Sequence, residues 1–283
     1  MQIQKQVKAF LRRTNIRPKK HLGQNFLIDE NILNKIISVS DLTEDDLALE
    51  IGAGLGHLTM KLAEVARKVI SLELDDRLFA ELQRTSTQYA NIELIHADVL
   101  KFDLSALFQI FPRNRTKVVA NLPYYITTPV LLKLLELRSS IQTCVLMVQE
   151  EVAQRIIAPP ANKTYGSLTI VVNYHAEPQI ALKVPATCFY PVPKVNSALL
   201  LLKMRESPRV QVKNEKLFFQ IVRSAFMYRR KTLKNALMRS GLSLSTDTIY
   251  TAFEQLNIEP NRRGETLSIE EFADLADCLF KRQ

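Results

Sequence analysis

Seven glycines serve a chain of 283 residues, and three of them fall within five positions, Gly52-Ala53-Gly54-Leu55-Gly56. Such clustering marks backbone that must turn tightly or let another molecule approach closely. Leu47-Ala48-Leu49-Glu50-Ile51 precedes it and reads as a short buried strand, and a helix opens from about Leu58. A strand, a glycine turn and a helix in that order predict an α/β sheet with a ligand at its carboxyl edge, facing the helix N–H groups. The pattern is Glu-x-Gly-x-Gly-x-Gly, which differs from the dinucleotide fingerprint by the acid before the turn. Glu50 would repel a pyrophosphate but not a cationic, phosphate-free cofactor.

The following segments repeat the strand–helix alternation. Val69 to Asp75 is a strand about 20 residues beyond the glycines, and Glu73 near its end is placed like an acid that grips ribose hydroxyls. Asp75 and Asp76 open the next helix, so a role beside an N-cap is the competing reading of Glu73. Ile92 to Val99 is a third strand and turn, where Asp98 is placed to accept from an adenine amine and His96 reads as structural. Val118-Val119-Ala120 is a fourth, and it stops at Asn121-Leu122-Pro123-Tyr124 because Pro123 cannot donate to a ladder. An amide, a fixed turn and an aromatic ring then stand at a strand's carboxyl end. That set suits methyl transfer to an exocyclic amine, whose lone pair is drawn into its ring. Acceptors from the Asn121 side chain and the Leu122 carbonyl would free the lone pair, and Tyr124 would stack on the base.

Further strands are expected at 143–148, 168–174 and 198–202, with helices at 127–135 and 150–157. These elements predict a mostly parallel sheet with helices on both faces over residues 1–205. After Ser207-Pro208 helical periodicity takes over, and residues 206–283 read as a small all-α domain. Within it Arg229, Arg230, Lys231 and Lys234 place four cations in six positions, a surface suited to nucleic acid. Between the last two strands, Phe189-Tyr190-Pro191-Val192-Pro193-Lys194 is a stiff aromatic loop. Phe189 reads either as a stacking platform or as a core residue.

Charge points the same way. The net charge is +9, and seven cations from Lys5 to Lys20 precede the first acid, Asp29. A basic, acid-free arm fits a polyanion, although a solvated tail or a short presequence shares the pattern. Three scattered cysteines without metal spacing argue for a reducing compartment and against a zinc site or disulfide framework. No apolar run approaches the roughly 20 residues of a membrane span.

Together these residues resemble the ribosomal RNA adenine dimethyltransferases, nearest their bacterial small-subunit branch. The resemblance runs from about Pro18 to the last helices. It rests on four motifs in order: Gly23-Gln24-Asn25-Phe26-Leu27, Glu50 to Gly56, Asn121-Leu122-Pro123-Tyr124, and Phe189-x-Pro191-x-Pro193-Lys194-Val195-x-Ser197. It implies a Rossmann-like class I methyltransferase domain followed by a helical RNA-binding domain. It implies S-adenosylmethionine as cofactor, with Asn25 and Leu27 closing over it and Gly52 and Gly54 at its amino-acid end. Glu73 would take the ribose, Asp98 the adenine amine, and Asn121 would line both cofactor and target. The implied catalytic set is Asn121, Leu122 and Tyr124. Tyr124 and Phe189 would sandwich the base, and Arg229, Arg230 and Lys231 would hold RNA. The implied substrate is a pair of adjacent adenosines in a hairpin near the 3′ end of small-subunit rRNA in a pre-ribosomal particle, each dimethylated. A cytoplasmic monomer without metal or membrane contact is expected.

Two positions depart from the pattern, Tyr228 where the family more often has Gln and Glu150 where it commonly has Lys. The alternatives are a non-catalytic RNA-binding assembly factor, a large-subunit rRNA adenine methyltransferase, and a methyltransferase for a protein glutamine amide. Intact Asn121, Tyr124 and Glu73 weigh against the first. Leu122, Gly23 and the Arg-Arg-Lys-Thr-Leu segment weigh against the second. Leu122 and the basic arm weigh against the third, which prefers two prolines after its Asn.

Overall fold

The computed structural model describes residues 2–13, 24–109, 111–242 and 244–281. Arg17, Pro18, Lys19, Lys20 and Gly23, which belong to the basic arm and the first motif, lie outside the described residues. The chain divides into two compact units, Met1–Ala153 with Glu177–Glu206, and Gln154–Ala176 with Ser207–Gln283.

The first unit runs α1 (Gln2–Arg13), β1 (Phe26–Leu27), α2 (Glu30–Ser40), β2 (Leu47–Ile51), α3 (His57–Ala63), β3 (Lys68–Glu73), α4 (Asp76–Thr85), β4 (Ile92–His96), β5 (Thr116–Asn121), α5 (Thr127–Glu136) and β6 (Thr143–Gln149). The helix α6 (Glu150–Ile156) carries the chain across the division, and the first unit resumes with β7 (Ala176–Val184), β8 (Phe189–Tyr190) and β9 (Ser197–Met204). Among the described residues seven strands form one sheet in the order β4-β3-β2-β5-β6-β9-β7, and β1 pairs with β8 apart from it. The pairings of β2, β3, β4, β5 and β6 are parallel, whereas β9 runs antiparallel to β6. Every residue of β2 is buried, so both faces of the sheet are covered there. The chain lays β3 and β4 on one side of β2, then returns to add β5 on the other. That reversal opens a crevice between the carboxyl ends of β2 and β5.

The local signals are those the residues carry. Asp29 caps α2, its carboxylate accepting from the Asn31 and Ile32 N–H groups, and Asp75 caps α4 in the same way. Within the basic arm, residues 2–13 form α1. Its Val7, Phe10 and Leu11 pack on Phe26, Leu55 and Leu78, while Lys5 and Arg12 face solvent.

The second unit is helical: α7 (Ser167–His175), α8 (Glu215–Met227), α9 (Leu233–Met238), α10 (Thr246–Gln255) and α11 (Ile269–Phe280). Phe218, Ile221, Val222 and Ala225 make one face of α8 the centre of its core. Gly264 approaches so closely that an added Cβ would stand 2.5 Å from the Ala225 Cβ. Ser268 and Glu271 cap α11 reciprocally.

One expected strand is corrected. Residues 168–174 form helix α7, not a strand, and the neighbouring strand is β7, Ala176–Val184. The β-branched run Ile170-Val171-Val172 favours a strand locally, but Ile170 and Tyr174, one helical turn apart, are buried among Phe218 and the core of the second unit. Tyr165 donates its hydroxyl to the Leu267 carbonyl at 2.8 Å and binds the same segment to that unit. Residues 154–176 therefore group with the helices, whereas sequence periodicity placed them before the division at 205.

Candidate active site

All three glycines of the turn are left-handed: φ is +76° at Gly52, +60° at Gly54 and +82° at Gly56. A side chain would be strained at each, which is why three glycines are grouped there. The end of β3 holds the turn at two points. The Gly52 N–H donates to the Leu72 carbonyl at 2.8 Å, and the Gly54 N–H donates to Glu73 Oε2 at 2.8 Å. Glu73 Oε1 accepts from the Leu74 and Asp75 N–H groups, each at 2.9 Å. The Glu73 carboxylate is thus a fixed acceptor at the end of β3, 8% exposed. Burial pushes its pKa up, while these three backbone donors pull the other way.

Glu50 stands behind the turn, 1% exposed. Its Oε2 accepts from the Thr59 hydroxyl at 2.5 Å and the Ser71 hydroxyl at 2.7 Å. Burial raises its pKa to about 7 against the opposing effect of those hydroxyls.

Asn121 ends β5 directly across from the turn, and Pro123 lies 3.6 Å from where a Gly52 Cβ would sit. The Asn121 Nδ2 donates to the Asn25 backbone carbonyl at 3.2 Å. Using the amide nitrogen this way presents the oxygen as the acceptor. Leu122 has a buried side chain and donates its N–H to the Met147 carbonyl at 3.3 Å, so any part it plays in chemistry is through its backbone. Tyr124 shares its hydroxyl with Ser197 Oγ at 2.8 Å. Asp98 uses Oδ1 to accept from the Leu100 N–H at 2.9 Å, and Oδ2 is the oxygen left for a ligand.

The residues expected to hold the cofactor and to form the catalytic set line one pocket. Asn25, Leu27, Gly52, Gly54, Glu73, Asp98, Asn121, Leu122 and Tyr124 are all in its lining. Its lining contains Glu50, Glu73, Asp75 and Asp98 but no lysine or arginine among the described residues. Such a site admits a cation and disfavours a phosphate. Among the described residues no group of three or more His, Cys, Asp or Glu side chains is arranged to hold a metal ion.

Phe189 is not among the pocket residues. Its side chain is fully buried with Leu27, Leu33, Val184 and Leu199, and β8 pairs Phe189 with Leu27 and Tyr190 with Phe26. Alternation along β8 turns one ring inward and leaves the next, Tyr190, partly exposed beneath the Lys8 ammonium at 5.2 Å. The expectation that Phe189 sandwiches a base is therefore corrected to a core role. Arg229, Arg230 and Lys231 lie in the turn after α8 in the second unit. Arg229 pairs with Glu265 and donates to the Lys163 carbonyl at 2.6 Å, which makes it a brace of its own unit. Arg230 and Lys231 are exposed.

Sequence reading passed over Thr59, Ser71 and Tyr125. The two hydroxyls carry no local signal, because only the pairing of β2 with β3 and the placement of α3 bring them to Glu50. Tyr125, half exposed in the pocket wall, was visible only as the neighbour of Tyr124.

A family model described as ribosomal RNA adenine dimethylase matches residues 15–281. The chain is 47% identical over 261 residues to the ribosomal RNA small subunit methyltransferase A of Clostridium botulinum (strain Loch Maree / Type A3), covering 92% of this chain and 94% of that one. Among solved structures, a dimethyladenosine transferase from Plasmodium falciparum is similar with a TM-score of 0.75 and 28% identity, over 87% of this chain and 94% of that chain. The 23S rRNA methyltransferase ErmE is similar with a TM-score of 0.70 and 27% identity, over 90% of this chain and 100% of that chain.

Proposed function

This chain belongs to the ribosomal RNA adenine dimethylase family, and from that premise we propose that it dimethylates two adjacent adenosines in a hairpin near the 3′ end of small-subunit rRNA. It is an rRNA adenine dimethyltransferase that uses S-adenosylmethionine. When bound, that cofactor supplies an electrophilic methyl group on a sulfonium.

The observation that carries the site assignment is the acidic pocket closed by an oriented amide. Its acid-rich lining, free of lysine and arginine among the described residues, fits a cationic, phosphate-free cofactor. Glu73 would hold ribose hydroxyls, Asp98 Oδ2 the adenine amine, and the Gly52–Gly54 backbone the amino-acid end, with Asn25 and Leu27 beside them. Asn121 Oδ1 would accept one N–H of the target amine, and a backbone carbonyl at Leu122 the other. Both acceptors favour a pyramidal nitrogen and release its lone pair from the ring. After one methylation a single N–H remains, so the same pocket orients the second transfer. No base is needed beforehand, because the amine becomes strongly acidic only once the methyl has arrived. Tyr124 would stack on the base after it leaves its helix.

The small-subunit target is supported by 47% identity to a small-subunit enzyme, against 27% to the 23S enzyme. Exposed Arg230 and Lys231 and the outer face of α1 suit an RNA backbone. The same reading takes an assembling small-subunit particle as substrate and a cytoplasmic monomer as the working form. Among the described residues no helix is long and apolar enough to cross a membrane.

Asn121→Ala should lower single-turnover methylation of small-subunit particles at saturating cofactor by at least about 100-fold, the scale of losing one placed polar group in a transition state. A folded, cofactor-saturated variant that forms dimethyladenosine at the parent rate would sink the mechanism.

A further inference from the structure

We infer that Ser197 is a positioning residue for the methyl transfer, acting through the Tyr124 hydroxyl. The inference rests on the stacking role given to Tyr124 above.

Tyr124 follows Pro123 in a short turn that the Ile126 N–H closes on the Pro123 carbonyl at 3.1 Å. That turn fixes where the Tyr124 side chain begins. It does not fix the ring plane, which two side-chain torsions still govern. The ring borders the pocket and is only partly buried, so close packing does not settle the plane either. The far end of the ring is what the structure pins: the phenol oxygen lies 2.8 Å from Ser197 Oγ. Ser197 is itself immobile. It is fully buried, opens β9, and pairs across the ladder with Gln149 at the end of β6. An aromatic side chain held at its Cβ and at its hydroxyl keeps one plane without an ordering cost when the base arrives.

Ser197 is not among the described residues that line the pocket, and Tyr124 is a pocket residue that its hydroxyl reaches. This also gives a physical reason for two motifs distant in sequence to meet. The last residue of Phe189-x-Pro191-x-Pro193-Lys194-Val195-x-Ser197 grips the last residue of Asn121-Leu122-Pro123-Tyr124, 73 positions apart. Burial raises the phenol pKa and the Ser197 bond opposes that rise, so Tyr124 remains a neutral ring. A neutral ring is the form suited to stacking on an uncharged base.

The test is single-turnover methylation of undermethylated small-subunit particles, at saturating enzyme and cofactor, by Ser197→Ala, Tyr124→Phe, the double variant and Tyr124→Ala. Loss of one net hydrogen bond predicts that Ser197→Ala and Tyr124→Phe each slow the transfer by about tenfold. The double variant should be no slower than either alone, because both remove the same bond. The Kd for S-adenosylmethionine, measured by calorimetry, should stay within about twofold of the parent, placing the loss in the transfer step. Additive losses, a weakened cofactor Kd in Ser197→Ala, or parent rates in both single variants would overturn the role of Ser197. If Ser197→Ala does not fold, Tyr124→Phe decides alone, and a parent rate there overturns it. Tyr124→Ala separates the two readings. A slow Tyr124→Ala beside fast Ser197→Ala and Tyr124→Phe removes only Ser197, whereas a Tyr124→Ala at the parent rate removes the stacking role of Tyr124.

Discussion

Replacing Glu73 by alanine should damage the fold and the cofactor site by separable amounts. The carboxylate accepts from three backbone N–H groups, those of Gly54, Leu74 and Asp75, at 2.8, 2.9 and 2.9 Å. At about 1 kcal/mol of net stability per hydrogen bond, their loss amounts to about 3 kcal/mol. Burial opposes this in part, because alanine carries no charge to desolvate and the raised pKa of Glu73 reports that cost. The expected destabilisation is therefore about 2 kcal/mol, read from urea unfolding. Lost ribose bonds to a charged acceptor should cost a further 2 kcal/mol or so in cofactor binding, about 30-fold in Kd by calorimetry under native conditions. Glu73→Gln retains one acceptor oxygen and should fall between the variant and the parent in both measurements. Unfolding within about 0.5 kcal/mol of the parent would mean that the carboxylate does not hold the glycine turn, a change smaller than one net hydrogen bond. A stability loss with unchanged Kd would leave Glu73 as a brace of the turn and remove it from ribose binding.

Other expectations follow from the same geometry. Burial raises Glu50 from 4.5 to about 7, so the folded state holds its proton more tightly than the unfolded chain. Stability from this group is then greatest at the acid end and declines as pH rises from about 4.5 through about 7. Urea titrations from acid to neutral pH should show that decline in the parent relative to Glu50→Gln, and a difference of opposite slope would refute it. Phe189→Ala should cost about 3–5 kcal/mol in urea unfolding, the scale of emptying a buried aromatic site. Near-parent stability with methylation lost would restore a stacking role. Replacing Arg230 and Lys231 by Gln should reduce the slope of log affinity for rRNA against log salt by about 2 if both meet phosphates, whereas Arg229→Gln should mainly lower stability. An unchanged slope in the double variant would make Arg230 and Lys231 ordinary solvated side chains.

Much of the crevice was legible along the chain because its demands are local. A left-handed turn calls for glycine whatever surrounds it, and Gly52, Gly54 and Gly56 all have positive φ. Pro123 ends a ladder by chemistry alone, and Asp29 and Asp75 cap helices from their own backbone. A mostly parallel sheet was reachable from alternation, since β2, β3, β4, β5 and β6 pair in parallel, but their order was not, because the reversal at β2 has no local signal. Residues 168–174 were not legible in this way. Their β-branched side chains favour a strand by a margin that burial of Ile170 and Tyr174 beside Phe218 outweighs.

What the residues determined by themselves was therefore the backbone of the site: where the turn, the strand ends and the caps must be. Tertiary structure decided which side chains that backbone brings together. Nothing near Phe189 in the chain says whether it or Tyr190 faces inward; pairing with Phe26 and Leu27 does. Nothing near Glu73 names Gly54 as its donor, and nothing near Tyr124 names Ser197. Residues 2–13 of the basic arm become a helix over Phe26, Leu55 and Leu78 because those three side chains offer its apolar face a surface. A residue's torsional preferences act within its own few neighbours, whereas its partners are chosen by burial and hydrogen bonding across the assembled sheet.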